Sequence, residues 1–386
     1  MASTPPPVPH DPSTPPAHSW RGVFIDSAHT FWPLPCLELL ISIMARYRLN
    51  VLHWRLTDDT SWRFPIPSFP LLTGTGAYPP SAALGGHTPT LRAGRGPSHP
   101  SRCTRGFYSE ANVRHLVAYA AQRGIRIIPE ICLPSHPEAT ILTYPTIGDR
   151  GLVNAPNNAS TDTWPTRASL DFVEAAFHHT CELFPSQVIH IGTTGYDRAP
   201  CHSDPPPARS GARSARSADT LLIERALRAL RFHGRRAGAW DEITRTYSPP
   251  PRGSIILARR PNGVGRQAAY TSGAPWVLAD ATLLSITPAH KPESAPPPID
   301  RAKTLRSALP EAMDAERLRG VEALIHPTTI TSSDPLFVQL LPQLIVVAEV
   351  AWHGASALPW KALAPLIERE MTELSHTVPY WRAHRA

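Results

Sequence analysis

Proton-transferring side chains follow short apolar runs in this 386-residue sequence. Asp26 closes the first run, Asp58 and Asp59 follow the second, and Glu130 and His136 lie around the third. Carboxylates and histidines donate and accept protons when a fold holds them within hydrogen-bond reach of a substrate. Whether these residues meet depends on the elements that carry them.

The apolar runs are predicted to be strands, because they are short and rich in β-branched residues. Most gaps between them contain apolar residues at helical spacing, as at Val113, Leu116, Val117 and Ala120. Gly124 stands where a helix C-cap precedes a strand. The eight predicted strands span residues 22–26, 50–56, 125–131, 188–192, 237–242, 254–259, 276–280 and 320–326.

Eight strands that alternate with helices predict a parallel sheet closed into a (β/α)8 TIM barrel. The gaps on either side of the sixth strand are short for a full helix, so the second half of the barrel is expected to be less regular. In this fold, active-site residues lie at the carboxyl ends of the strands. Further candidates are therefore Thr193, Thr194 and Gly195 after the fourth strand, and Asp241 and Glu242 after the fifth.

The composition argues against several classes of protein. The apolar content of 42% is enough for a large core, yet no apolar run approaches the roughly 18 residues of a membrane helix. The first residues lack the basic and apolar regions of a secretory signal, so a cytoplasmic location is expected. Five scattered cysteines without a C-x-x-C pair predict neither a disulfide framework nor a metal site. The sequence has no glycine-rich phosphate loop, so no cofactor is expected.

The net charge of +7 arises from 38 basic and 31 acidic residues. All but three of the basic residues are arginines, a bias that genomic base composition produces without any functional demand. The arginine-rich stretch 205–217 lacks interleaved aromatic residues, so we predict a solvated loop there and not an RNA-binding arm. Neither nucleic acid nor membrane is therefore expected as a partner.

Proline-rich segments mark the parts of the chain outside packed elements. Residues 1–19 are predicted to form a disordered tail, and residues 20–386 a single barrel domain. Three further segments rich in Pro, Gly, Ser or Arg are predicted to be long loops, at 63–106, 198–217 and 287–299.

Long motifs are spread over residues 20–245, namely WRGVFID (20–26), LNVLHWRLTDD (49–59), WR (62–63), FYS (107–109), RGIRIIPEI (123–131), FPS (184–186), VIHIG (188–192) and AWDE (239–242). These motifs resemble those of glycoside hydrolase family 20, the β-N-acetylhexosaminidases. They occur in the family's order, and a collinear set of this length is more specific than any single pattern. Beyond residue 245 the best match is AEVAW at 348–352.

The resemblance implies retaining hydrolysis of a terminal N-acetylhexosamine, in which the substrate's own acetamido oxygen attacks the anomeric carbon. The family orients the acetamido group with an Asp after strand four, and the adjacent Glu protonates the leaving oxygen. Thr194 stands at the Asp position and Gly195 at the Glu position. Neither residue can replace a carboxylic acid, so weak or absent hydrolysis is expected. A non-catalytic carbohydrate-binding barrel is the alternative.

The resemblance also implies which residues bind an N-acetylhexosamine-containing glycan. Arg21 matches the arginine that clamps the sugar hydroxyls, and Asp58 belongs to the matching acidic pair. His136 matches the pocket histidine, and Trp240 matches one wall of the acetamido pocket. Cys132 replaces an Asp of the family close to His136. No metal ligand is implied.

Other departures from the family follow the last three strands. Arg259 replaces a Trp, and residues 284–286 and 326–328 replace a Tyr-x-Asp and a Trp-x-Glu. Most of the aromatic side chains that surround the sugar in the family are therefore expected to be missing. A decayed gene product without selected activity is a further alternative. Three carboxylates are candidates to replace the lost acid: Asp197, two residues past Gly195, and Asp241 and Glu242, which end the neighbouring strand.

Overall fold

The computed structural model describes residues 15–77, 105–148, 166–193, 218–286, 297–313, 316–325 and 333–377. Within these parts, eight parallel strands close into a barrel, in which each strand pairs with the next along the chain and the eighth pairs with the first. The strands are β1 (Trp20–Asp26), β2 (Val51–Arg55), β3 (Arg126–Glu130), β4 (Val188–His190), β5 (Arg236–Trp240), β6 (Ile255–Ala258), β7 (Trp276–Leu278) and β8 (Leu318–Ile325).

The predicted (β/α)8 barrel is confirmed, and all eight strands end within two residues of their predicted bounds. The strand β7 ends two residues before its predicted bound, and Asp280 there forms a turn outside the sheet. Its Oδ1 accepts hydrogen bonds from the backbone N–H groups of Thr282 and Leu283 at 2.8 and 3.2 Å. The turns after the strands form the carboxyl face of the barrel.

Helices surround the barrel, and their lengths match the gaps in the sequence. The connections after β5 and β6 hold helices of only four and eight residues, as the short gaps predicted. The described helices are α1 (Leu34–Arg46), α2 (Leu71–Gly74), α3 (Glu110–Ala121), α4 (Glu138–Thr143), α5 (Arg167–Leu183), α6 (Ala218–Phe232), α7 (Ile243–Thr246), α8 (Val264–Thr271), α9 (Pro298–Met313), α10 (Ser333–His353) and α11 (Trp360–Thr377).

Local signals explain where the helix α3 begins and ends. The Ser109 hydroxyl accepts the N–H of Asn112, and the Asn112 side chain accepts the N–H of Ser109, which together form a capping box. Val113 and Leu116 bury the apolar face of the helix. Gly124 has φ +71°, a left-handed conformation that glycine adopts without steric cost and that redirects the chain into β3.

Strand alternation separates two layers of side chains. Val23 and Ile25 face the helices and belong to the large core between barrel and helices, whereas Phe24 packs inside the barrel with Val51 and Trp240. The interior also holds buried polar residues, which need partners there. Those at the carboxyl ends of the strands form the candidate site.

Two loop predictions need correction. The segment 63–106 contains α2, and α9 begins at Pro298, inside the predicted loop 287–299. The predicted loop 198–217 and residues 1–14 of the predicted tail lie outside the described residues. Among the described helices, none combines the length and the apolar character needed to cross a bilayer.

Candidate active site

Side chains from the ends of β1, β2 and β3 meet at the carboxyl face of the barrel. The parallel register pairs Asp26 with Arg55 and Arg55 with Glu130, so the three strands end at the same level. The loops that follow add four more side chains. We call the group the rim cluster, which consists of Asp26, His29, Arg55, Asp58, Asp59 and His136.

Two histidines of the rim cluster are held by carboxylates. The Nδ1 of His29 lies 2.7 Å from Asp26 Oδ2, and its Nε2 lies 3.5 Å from Asp58 Oδ1. The Nδ1 of His136 lies 2.7 Å from Asp59 Oδ2. Asp58 and His136, two of the predicted ligand-binding residues, lie near each other, with 4.0 Å between Asp58 Oδ1 and His136 Nδ1.

Arg55 completes the charge balance of the cluster. Its guanidinium donates to Asp58 and its Nε lies 3.9 Å from Asp26 Oδ2, so one buried cation faces two buried carboxylates. The Oδ1 of Asp58 also accepts the backbone N–H of Asp59 at 2.7 Å. Both carboxylate oxygens of Asp58 therefore already accept hydrogen bonds from the protein, and Asp58 positions its neighbours.

The pKa shifts in the rim cluster follow from these pairs. Burial alone would raise the pKa of Asp26, but His29 and Arg55 lower it well below its usual range. Burial opposes protonation of His29, yet Asp26 and Asp58 raise its pKa to about 9. Asp58 and Asp59 likewise raise the pKa of His136 against the effect of burial. The Asp26–His29 pair is therefore an ion pair at neutral pH.

The cluster is open to solvent on one side. The His29 side chain is 38% exposed, and Asp59 and His136 are partly exposed, whereas Asp26 and Asp58 are buried. The exposed members place parts of two imidazole rings and of one carboxylate at the open side. Such a set suits a ligand rich in hydroxyl groups.

Trp240 lies deeper, at the end of β5. Its Nε1–H donates to Glu130 Oε1 at 2.8 Å, and its ring packs edge-on against Phe24 and His190. The Arg259 guanidinium stands 5.6 Å from the Trp240 ring centroid, and Trp240 is only 1% exposed. The predicted role of Trp240 as a wall of a ligand pocket therefore requires Arg259 to move.

Asp241 and Glu242, two of the predicted substitutes for the lost acid, are neutralised by arginines. Asp241 Oδ1 accepts the backbone N–H groups of Arg259 and Arg260 at 2.6 and 3.1 Å, and its Oδ2 pairs with the Arg260 guanidinium. Glu242 is fully buried, and its Oε1 accepts from Arg259 at 2.6 Å. Burial raises the pKa of Glu242 despite the charge of Arg259.

Two sets of side chains in the described parts have the donor atoms of a metal site. Asp58, Asp59 and His136 form one, and His53, Glu130 and His190 form the other inside the barrel. Asp58 is already paired with Arg55, and Glu130 Oε1 already accepts a hydrogen bond from the Trp240 indole N–H. The absence of a metal site stays a prediction.

The family comparisons extend over most of the chain. The model of "Glycosyl hydrolase family 20, catalytic domain" matches residues 18–355. The β-N-acetylhexosaminidase of Cellulomonas fimi is 30% identical over 374 residues, which cover 89% of this chain and 65% of that protein. The β-hexosaminidase of Vibrio furnissii is 31% identical over 240 residues, which cover 59% of this chain and 38% of that protein. The chain belongs to glycosyl hydrolase family 20.

Solved structures of other family 20 proteins share the fold. An exo-β-N-acetylglucosaminidase from Vibrio harveyi, solved with N-acetylglucosamine, has a TM-score of 0.72 at 23% identity and covers 93% of this chain and 58% of that chain. The Streptomyces plicatus N-acetyl-β-hexosaminidase has a TM-score of 0.68 at 23% identity, with coverage of 95% and 69%. This chain spans less than two thirds of the two curated relatives named above.

The family's catalytic pair follows β4, and the structure describes that loop only as far as Thr193. Thr193 is buried with φ +83°, and its hydroxyl donates to the Trp240 carbonyl at 3.3 Å. Thr194, Gly195 and Asp197 lie outside the described residues, as do residues 326–328, which replace the family's Trp-x-Glu. Their predicted roles therefore rest on the sequence of this family 20 chain.

Arg21 is at the wrong end of the barrel for the predicted sugar clamp. It is the second residue of β1, and Asp26 lies five positions further along, a distance of about 16 Å along a strand. Its Nε donates to the Arg48 carbonyl and its Nη1 to the His18 carbonyl, both at 2.8 Å. The predicted strand 22–26 already put Arg21 before the start of the strand, so the strand pattern and the family match disagreed about this residue.

Sequence reasoning missed His29 and Arg55. A signal for His29 was present, because a histidine three residues after the Asp that closes β1 returns to that carboxylate in a tight turn. The signal for Arg55 was the alternation of β2, which directs Val51, His53 and Arg55 toward the barrel interior. Both residues belong to the rim cluster of this family 20 barrel.

Proposed function

We propose that this family 20 barrel binds a terminal β-linked N-acetylhexosamine of a glycan at the carboxyl ends of its strands, and that it hydrolyses the glycosidic bond weakly or not at all. The observation that carries the binding half is the rim cluster. Its partly exposed His29, Asp59 and His136 line the open side with polar groups that suit sugar hydroxyls. Buried Asp26 and Asp58 hold the His29 imidazole, and Asp59 holds the His136 imidazole.

The loss of hydrolysis rests on the residues after β4. Thr194 and Gly195 stand where the family has its orienting Asp and its acid. Proton transfer by a placed acid contributes a factor of about 10²–10⁴ to the rate, and an oriented carboxylate adds electrostatic stabilisation of the transition state. Without both groups, the family's substrate-assisted route loses its proton donor and its orienting charge.

The geometry around β5 and β6 supports a role in binding rather than catalysis. A substitute acid must come within about 3 Å of the glycosidic oxygen. Asp241 is saturated by Arg260 and two backbone N–H groups, and Glu242 is buried against Arg259. A non-catalytic carbohydrate-binding protein is therefore the second candidate, favoured by these two occupied carboxylates.

The test is titration of the purified chain with N-acetylglucosamine and N-acetylgalactosamine, followed by isothermal calorimetry and by ligand-observed NMR. We expect saturable binding with 1:1 stoichiometry, and weaker binding of glucose, which lacks the acetamido group. The variant His29→Ala is expected to lose most of the affinity. His115→Ala is the matched control, because His115 is an exposed histidine on α3 that pairs with Glu38.

Each outcome decides one part of the proposal. If His29→Ala binds both sugars with the affinity of the wild type, the rim cluster is not the sugar-binding site. A folded protein that binds neither sugar at millimolar concentration would overturn the proposed function as a whole.

A further inference from the structure

Three arginines converge at the amino end of the barrel, on the side opposite the rim cluster. Arg21 is the second residue of β1, Arg48 lies in the turn before β2, and Arg126 is the first residue of β3. The three strands are neighbours, and the Arg126 backbone N–H donates to the Asn50 carbonyl at 3.0 Å. We call these three residues the amino-end arginine cluster.

Arg21 is the buried member of the cluster, with 8% of its surface exposed. Its Nε and Nη1 donate to the carbonyls of Arg48 and His18 at 2.8 Å each. An arginine has five N–H donors, so these two bonds fix the guanidinium plane and leave further donors for another partner. The side chain is held in place before any ligand arrives.

An aromatic ring brings two of the guanidinium groups together. The central carbons of Arg21 and of Arg48 each lie 4.9 Å from the centroid of the Trp352 ring, near the end of α10. Cation–π contacts of this kind stabilise an arginine without neutralising its charge. The ring therefore gathers positive charge at this site and supplies no anion.

No carboxylate in the described parts of the chain lies within 4.0 Å of Arg21, Arg48 or Arg126. Two partly buried arginines differ, as Arg46 pairs with Glu370 and Arg260 with Asp241, whereas buried Arg63 donates to backbone carbonyls. Burial first, and then the charges of Arg126 and Arg48, lower the pKa of Arg21 to about 10. Like charges held close together around a buried guanidinium are unfavourable unless an anion joins them.

We propose that the amino-end arginine cluster is an oxyanion-binding site, which takes a phosphate, sulfate or carboxylate group between Arg21, Arg48 and Arg126. The planar guanidinium offers two parallel N–H donors, which match the spacing of two oxygens on such a group. Arg21 is the fixed donor, and the more exposed Arg48 and Arg126 close on the anion. The site is separate from the rim cluster, so its occupancy does not depend on glycan binding.

The test uses the full chain in a low-salt buffer free of phosphate and sulfate, titrated with inorganic phosphate in a calorimeter. We expect one phosphate per chain, and at least tenfold weaker binding in Arg48→Gln and in Arg126→Gln. Arg114→Gln is the matched control, because Arg114 is an exposed arginine on α3 that pairs with Glu110. The control is expected to bind phosphate as the wild type does.

Thermal unfolding gives an independent measurement. At low salt without oxyanions, Arg126→Gln is expected to unfold at the same temperature as the wild type or higher, because a repulsive charge is removed. Sulfate also stabilises proteins in general by exclusion from their surface. The unfolding temperature of each protein is therefore measured in sodium chloride and in sodium sulfate at equal ionic strength. The informative quantity is how much more the unfolding temperature rises in sulfate for the wild type than for Arg126→Gln.

Phosphate binding that is equal in the wild type, Arg48→Gln and Arg126→Gln would overturn the proposal, as would the absence of binding at millimolar phosphate. Acetate serves as the carboxylate probe in the same titration. If phosphate and sulfate bind but acetate does not, the site holds tetrahedral oxyanions, and the carboxylate part of the proposal is wrong.

Discussion

The two sides of the carboxyl face of the barrel both carry buried carboxylates, but they pair them with different partners. On the β1–β3 side, three carboxylates hold two histidines and leave His29, Asp59 and His136 partly open to solvent. On the β5–β6 side, Arg259 and Arg260 neutralise Glu242 and Asp241, and Arg259 stands over Trp240. The first side keeps polar side chains open to solvent, whereas the second pairs its buried carboxylates with arginines.

The largest effects are expected from removing one buried carboxylate on each side. Asp58→Ala leaves Arg55 without its partner, and Asp241→Ala leaves Arg260 and two backbone N–H groups unpaired. Each change should lower the free energy of unfolding by about 3–5 kcal/mol, measured by urea denaturation. Only Asp58→Ala should also abolish N-acetylglucosamine binding. If both variants lose N-acetylglucosamine binding equally, the two sides do not differ in their role in binding.

A tenfold or greater loss of N-acetylglucosamine affinity is expected for His29→Ala, since the variant removes an imidazolium at the open side of the rim cluster. The loss should exceed the loss of stability, because the ring is 38% exposed. Calorimetric titration beside a urea melt separates the two effects. A variant that loses stability but keeps its affinity would assign His29 a structural role alone.

The pH dependence of stability follows from the Asp26–His29 pair. The pKa of His29 rises from 6.5 to about 9 in the folded state, so its contribution is complete below pH 6.5 and is lost as the pH rises through 9. The pKa of Asp26 falls, so the contribution of this carboxylate is present above pH 4 and is lost as the pH falls below that value. Between pH 7 and pH 10, the unfolding temperature should fall more steeply in the wild type than in His29→Ala. Parallel curves over that range would contradict the ion pair.

The smallest effect is expected for Glu242→Gln. The amide keeps an oxygen that accepts from Arg259, and a buried carboxylate with a raised pKa costs little to neutralise. Sugar affinity and any residual hydrolysis should stay within about twofold of the wild type, as measured on nitrophenyl and on poorer leaving groups. A loss of hydrolysis confined to the poorer leaving groups would identify Glu242 as the acid.

The barrel itself could be predicted from the sequence because each strand has its own local signal. Apolar runs, helical spacing and Gly124 placed all eight strands within two residues. The site was harder to predict from the sequence, since its membership depends on which end of a strand each residue occupies. Asp58 and His136 follow their strands and lie 4.0 Å apart, whereas Arg21 stands near the start of β1, at the opposite end of the barrel.

The state of Trp240 could not be predicted, because it depends on how two strands and their following turns pack. The register sets Trp240 beside Leu257, and the chain then places Arg259 over the indole ring. No local pattern in the sequence reports that juxtaposition. A motif match such as AWDE therefore preserves residue identity while the packed environment differs.

The most direct test of the account is the release of nitrophenol from a nitrophenyl β-N-acetylglucosaminide by the wild type and by the Thr194→Asp/Gly195→Glu double variant. The account predicts turnover near background for the wild type and at least about 100-fold faster turnover for the double variant, because the restored pair supplies the acid and the orienting charge. Wild-type turnover equal to or faster than that of the double variant would contradict it, since hydrolysis would then proceed without the pair.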